Sequence, residues 1–287
     1  MDPFFQVEGL SHAYGRNTPL EQPSLAGITL HVERAEIVGL IGPTGSGKST
    51  LLQHLCGLIR PQTGRVRIDG VDPADPAVDL RDIRRRVGMV FQSPEDQLFE
   101  RYAGDDVAFG PRNQGLDRPA VRERVRDAME SVGLPFDAFK DRLTLTLSGG
   151  ERRKAALAGV LAMAPEALLL DEPTAGLDPA GRRDLLDLLM RLRTERSMTM
   201  VVSSHNMDDL AELAGRIYVL RDGRTVLDGT TRDIFAQGEP LRALGLDVPA
   251  VTQIIDALWA AGIPVERGAL TLEEATRAVA ALWAGVE

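Results

Sequence analysis

Gly42, Gly47, Lys48 and Ser49 satisfy the spacing G-x-x-x-x-G-K-[ST] within GPTGSGKST (42–50), a pattern suited to holding phosphate. The apolar segment EIVGLI precedes it and STLLQHLCGL follows, so the run stands at a strand-to-helix turn. Glycines let the backbone wrap the phosphates with its N–H groups inward, and the helix start adds partial positive charge. Lys48 is expected to neutralise the β- and γ-phosphates and Ser49 to reach Mg²⁺. The candidate nucleotide-binding residues are Gly42, Pro43, Thr44, Gly45, Ser46, Gly47, Lys48, Ser49 and Thr50.

A second chemical element is ALLLDEP (167–173), an apolar run ending in two adjacent carboxylates. Asp171 is expected to hold the hydrated metal, and Glu172 to orient and deprotonate the attacking water. Gln92 and His205 also end apolar runs, VGMVF and MVVSS. Each could face the γ-phosphate, Gln92 as a ligand of metal and water, His205 as a hydrogen-bond donor. A single Gln or His is more often structural, and position alone leaves both readings open. His54 lies on the helix after the phosphate loop and is expected only to pack.

LSGGERRK (147–154) raises the question of a second phosphate site. Ser148 and Glu151 have capping-box spacing ahead of an Ala/Leu-rich helix. A Ser hydroxyl can accept a bond from its own helix and still donate to phosphate, while Gly149 and Gly150 would let an anion approach the helix start. A second loop reading the same γ-phosphate is expected to come from another subunit.

These residues need a scaffold. Short apolar segments alternate with turns over residues 4–41; GRVRIDG (64–70) and VGMVF (87–91) continue the strand rhythm. A helical pattern interrupts it from Asp117, a cap followed by Pro119, with Val121, Val125, Met129 and Val132 at helical spacing. ALLLDE and MTMVVSSH (198–205) read as parallel strands buried on both faces, with a helix opened by Asp178-Pro179 between them. IYVLRDGRTVLDG (217–229) reads as a hairpin turning at Asp222-Gly223, and two helical stretches around Val251 and Ala275 form an appended domain.

Length and composition bound the function. The chain has 287 residues, enough for a nucleotide domain with smaller attachments. A net charge of −9 argues against nucleic acid as a partner. Its longest apolar run, Ala155 to Ala164, is half the length a membrane span requires, and MDPFFQVEGL lacks the parts of a secretory leader, so a cytosolic chain is expected. Cys56 is the single cysteine, excluding an intrachain disulfide or Cys-cluster zinc site, and is expected in the core.

Taken in order, GPTGSGKS, Gln92, LSGGE, ALLLDE, AGLD (175–178) and His205 resemble the ATP-binding cassette (ABC) ATPases. The resemblance implies an α/β P-loop NTPase core with an antiparallel β subdomain (1–91 and 165–238), a helical signature subdomain (92–164) and a small C-terminal helical domain (239–287). It raises Gln92 and His205 to functional residues and gives Tyr14 the role of stacking on adenine. It further implies a head-to-tail dimer, each ATP held between one subunit's phosphate loop and the other's Ser148, Gly149 and Gly150.

Longer stretches, NTPLEQPSLAGI (17–28), FQSPEDQLFE (91–100), DVAFGPRNQG (106–115) and GLDVPAVTQIIDALWAAGIPV in the tail, are similar to ATPases of energy-coupling factor (ECF) transporters, including those of cobalt and nickel uptake. This implies an ATPase at the cytoplasmic face of the cell membrane, paired with a copy of itself or a related ATPase. A transmembrane coupling subunit would contact a groove near Glu95, Asp96 and Gln97, and a separate membrane subunit would bind the vitamin or metal ion. Glu151 in place of the signature glutamine, RYAGD (101–105) in place of an ETV-type sequence and Asn206 in place of Asp depart from the pattern. An exporter-type ATPase is the alternative. A soluble ABC protein would call for a coiled-coil insertion or a second cassette, and a module without hydrolysis is opposed by the intact Glu172, Gln92 and His205.

Overall fold

In this computed structural model, which describes residues 2–284 apart from the side chains of Asp96, Trp283 and Ala284, the strands divide into two sheets of opposite character. In chain order they are β1 (Phe5–Tyr14), β2 (Gln22–Val32), β3 (Ile37–Ile41), β4 (Thr63–Ile68), β5 (Val87–Val90), β6 (Ala167–Asp171), β7 (Thr199–Ser203), β8 (Arg216–Arg221) and β9 (Arg224–Thr230). An antiparallel sheet is ordered β2-β1-β4, and a larger sheet is ordered β5-β6-β7-β3-β8-β9. The first five strands of the larger sheet are parallel, and β9 returns antiparallel to β8. The return is made at Asp222-Gly223, with φ of +50° and +72°, as a two-residue hairpin turn of the primed type requires.

The continuous apolar runs of the parallel strands follow from burial on both faces. Ile37, Ile41, Leu168, Leu170, Met200 and Val202 point into one core with the helical segments; Val38, Leu40, Leu169 and Val201 point into the other. That second core is closed by Leu51, Leu52 and Leu55 of the helix Lys48–Leu55 and by the antiparallel sheet. Cys56 is buried there, its thiol pushed up to about 11 by desolvation, as expected of a packing residue.

Between β5 and β6 the chain forms the helices Ala103–Asn113, Arg118–Ser131 and Gly149–Ala162, among shorter turns. Asp117 caps the second by accepting from Ala120 N at 2.9 Å, and Val121, Val125 and Met129 turn inward. Asp178 likewise caps the helix Pro179–Arg196, accepting from Gly181 N at 2.9 Å. The helices Ala250–Ala260 and Leu272–Ala284 close a small separate core around Ile255, Val265, Ala269 and Ala275. Asp208 accepts from Ala250 N, and Arg232 bonds Glu274, joining this unit to the rest. Among the described residues no helix is long and apolar enough to cross a membrane.

Candidate nucleotide site

Sheet register assembles the site. Val90 pairs with Leu170, and Ser203 pairs with both Asp171 and Leu40. Gln92, Asp171-Glu172, His205 and the phosphate loop therefore leave the sheet along one edge, at the carboxyl ends of its parallel strands, where open α/β sheets bind ligands.

The phosphate loop is held by close backbone approach. A Cβ on Gly42 would lie 2.2 Å from the carbonyl oxygen of Leu220, and one on Gly47 (φ +102°) would lie 2.7 Å from that of Ser24. Lys48 is buried, its Nζ donating to the carbonyls of Gly42 (2.7 Å) and Pro43 (3.2 Å). Desolvation lowers its pKa, opposed by the charges of Glu172 and Asp171. The Ser46 hydroxyl is buried in the loop with no hydrogen-bond partner among the described residues, a fit for a phosphate oxygen. Pro43, Thr44, Gly45 and Ser49 reach the surface, whereas Thr50 is buried and meets Ser24 Oγ at 2.8 Å. Tyr14 lies over the start of this helix: its hydroxyl is 3.2 Å from both Thr50 Oγ1 and Gln53 Oε1, and its ring remains partly exposed.

The two carboxylates have unlike environments. Asp171 accepts from the Ser203 hydroxyl, which fixes its rotamer. Glu172 has φ +51°, a left-handed conformation that costs a non-glycine residue about 1–3 kcal/mol, and its N–H donates to Ser203 O at 3.0 Å. His205 N donates to Glu172 Oε2 at 3.1 Å, and the His205 ring nitrogen Nε2 stands 3.3 Å from Oε1. Oε1 is buried without an aligned hydrogen bond among the described residues. Desolvation raises the Glu172 pKa, with His205 and Lys48 opposing it. Such a carboxylate is a stronger base than a solvated one. Here His205 touches Glu172, a contact the sequence does not suggest.

Gln92 is exposed and its side-chain amide makes no hydrogen bond among the described residues. Asp171, Ser49 and Gln92 offer hard oxygen donors, a set that fits Mg²⁺ completed by phosphate and water. No group of three or more His, Cys, Asp or Glu side chains that could hold a metal occurs among the described residues, so no all-protein cage competes with it.

The signature loop is built as a capping box. Ser148 N donates to Glu151 Oε2 at 2.7 Å, and Glu151 N lies 3.3 Å from Ser148 Oγ. Arg142 pairs with Glu151 at 2.8 Å; with the Ser148 N–H it holds that carboxyl below the usual range, which accounts for a glutamate at this position. Ser148, Gly149 and Gly150 are exposed, and among the described residues no hydrogen bond or ion pair links them to residues 42–50. A Cβ at either glycine would meet nothing within 4 Å, and neither has positive φ.

One residue escapes the sequence reading. Ser203 orients Asp171 and accepts from Glu172; the only sequence signal is the hydroxyl pair preceding His205. Glu95, placed by the resemblance near the coupling groove, is half-buried and faces Arg153 at 3.6 Å. The Asp96 side chain lies outside the described residues.

Residues 25–175 match the ABC transporter family. The chain is 49% identical over 278 residues to the energy-coupling factor transporter ATP-binding protein EcfA2 of Symbiobacterium thermophilum, covering 97% of this chain and 96% of that one. Its structure is similar to that of cbiO1 from Clostridium perfringens, part of the ABC transporter complex cbiONQ, with a TM-score of 0.75, 33% identity and coverage of 89% and 100%. It is also similar to the dimeric cassette MJ0796 bound to ADP and Pi, with a TM-score of 0.71, 28% identity and coverage of 79% and 98%. The chain belongs to the ATP-binding subunits of energy-coupling factor transporters, within the ABC transporter family.

Proposed function

We propose that the chain is the ATP-hydrolysing subunit of an ECF-type uptake transporter, working as a head-to-tail dimer against the cytoplasmic face of the membrane. ATP would lie with its adenine on Tyr14, its phosphates in Gly42–Thr50 and its γ-phosphate between Lys48 and the other subunit's Ser148, Gly149 and Gly150. Ser49, Gln92 and Asp171 would hold Mg²⁺, which when bound neutralises charge on the phosphate oxygens. Glu172 accepts the proton of the attacking water, while His205 holds the Glu172 carboxylate and donates toward the γ-phosphate. In this reading 92–164 is the signature subdomain, 239–287 the C-terminal domain, and 1–91 with 165–238 the core.

The observation that carries the composite site is the pair Gly149-Gly150. Neither backbone conformation nor crowding within the chain calls for glycine there, and glycine weakens a helix by about 0.5–1 kcal/mol relative to alanine. Close approach of a ligand held by a second subunit supplies the missing reason. The membrane partner is supported by exposed apolar side chains beside the loop that begins at Gln92, the glutamine loop: Phe99 and Phe109 pack edge to face at 4.8 Å, and Leu143 and Leu145 flank Thr144, which bonds back to residues 100 and 101. A coupling subunit seated there would leave a second membrane subunit to bind the vitamin or metal ion.

Subunit mixing tests the shared site. Ser148→Arg and Lys48→Ala chains should each be inactive alone, whereas the mixture rebuilds one site with both halves intact and recovers measurable ATP hydrolysis. A mixture as inactive as its components would count against the sandwich. Affinity purification from membranes should bring down a coupling subunit and a small substrate-binding subunit; capture of an exporter's membrane domains would favour the alternative class.

A further inference from the structure

We propose that Arg153 is a positioning residue that locks the glutamine loop to the AGLD turn, so that movement at the membrane-facing groove is passed to the second subunit's nucleotide. Arg153 lies on the signature helix just after Gly150, with its side chain only 12% exposed. Its Nη1 donates to Ala175 O at 2.6 Å and its Nη2 to Gln92 O at 3.0 Å. Its Nε faces Glu95 Oε2 at 3.6 Å as an ion pair, and among the described residues neither buried atom has a hydrogen-bond partner. One planar fork thus joins three segments far apart in sequence.

Each segment has a place in the proposed machine. Residues 92–95 follow β5 and lead to the apolar surface at Phe99. Ala175 begins AGLD, directly after the Asp171-Glu172 turn. The helix carrying Arg153 starts at the loop that meets the other subunit. A buried guanidinium is costly where only packing is needed, and charge-assisted bonds from its rigid fork fix the relative placement of their acceptors. A displacement of Gln92 and Glu95 must therefore carry the AGLD turn and the signature helix along, or break these bonds. The inference rests on the proposed docking of a coupling subunit beside residues 92–100.

The test uses the full chain co-expressed with its coupling and substrate-binding membrane subunits, the complex being reconstituted in nanodiscs. ATPase kcat and KM of the complex are compared with those of the free ATPase subunits, alongside TNP-ATP affinity and Tm of the free chain. Arg153→Gln should still co-purify, retain TNP-ATP affinity and KM within two-fold, and lower kcat of the complex about ten-fold, the size expected when the positioning supplied by a charged hydrogen bond is lost. Arg153→Lys keeps the cation beside Glu95 but not the fork, and should fall between, at about a third of the parent kcat. A purely structural role would lower Tm and nucleotide affinity together and leave the ratio of assembled to free rates unchanged; that result overturns the proposal. If Arg153→Gln fails to fold, a parental rate ratio in Arg153→Lys overturns it equally. Failure of the unmodified chain to form any such complex would overturn the docking reading itself, and this inference with it.

Discussion

At the scale of single residues, the proposed role of Glu172 as general base rests on its strained backbone and buried carboxyl. Its positive φ is sustained by Ser203, which accepts from the Glu172 N–H and donates to Asp171, so one strand end sets both carboxylates. Burial keeps the Glu172 carboxyl protonated to a higher pH than the ~4.3 of a free glutamate. A general base works only when deprotonated, so kcat should fall with an acid limb whose midpoint lies above that value. A pH–rate profile of hydrolysis with its limb at or below the free value would remove Glu172 from the role. Glu172→Gln should keep ATP binding, slow hydrolysis at least ~10²-fold and prolong an ATP-bound dimer visible by light scattering. Near-parental turnover would exclude this assignment. The phosphate loop and the Asp-Glu pair were legible in the sequence because their chemistry is local. Ser203 was not, since its meaning depends on which residue of β6 it pairs with, and neither was the turning of Glu95 onto Arg153.

At the scale of elements, boundaries and the hairpin were legible, and the neighbours of the parallel strands were not. Asp117, Asp178 and Asp222-Gly223 act on their own backbone, and each ends or begins an element where their chemistry requires. The order β5-β6-β7-β3-β8 that aligns Gln92, Glu172 and His205 is a long-range arrangement absent from any local pattern. The signature helix offers the clearest element-level test, because the proposed dimer sets its start against the other subunit's nucleotide. Gly150→Ala meets no atom within 4 Å and replaces glycine with a better helix former. The free chain should keep its Tm or gain slightly, with unchanged TNP-ATP affinity. Hydrolysis should nevertheless drop by up to about 10²-fold, as an intruding methyl displaces the second half of the site from its phosphate. Parental turnover in this variant would mean that no ligand approaches the helix start closely.

At the scale of the whole molecule, the antiparallel sheet and the parallel core meet across a seam that contains two neutral histidines. His12 on β1 and His54 on the phosphate-loop helix stack edge to face at 4.9 Å, and among the described residues none of their four ring nitrogens has a hydrogen-bond partner. Burial and the neighbouring His12 depress His54 from 6.5 to about 4, and burial also lowers His12. The unfolded chain therefore takes up protons near pH 6.5 that the folded chain refuses, and stability is lost as pH falls from there toward 4. By pH 5 His54 alone accounts for about 2 kcal/mol, a shift of several degrees in Tm. His54→Leu should flatten the decline in Tm between pH 7.5 and 5 relative to the parent, measured by calorimetry at fixed ionic strength. The same acid step should loosen the proposed adenine platform, because the His12 ring also supports Tyr14 at 4.7 Å. Parallel Tm curves for parent and variant would show that the seam tolerates charge, and that its histidines only fill space.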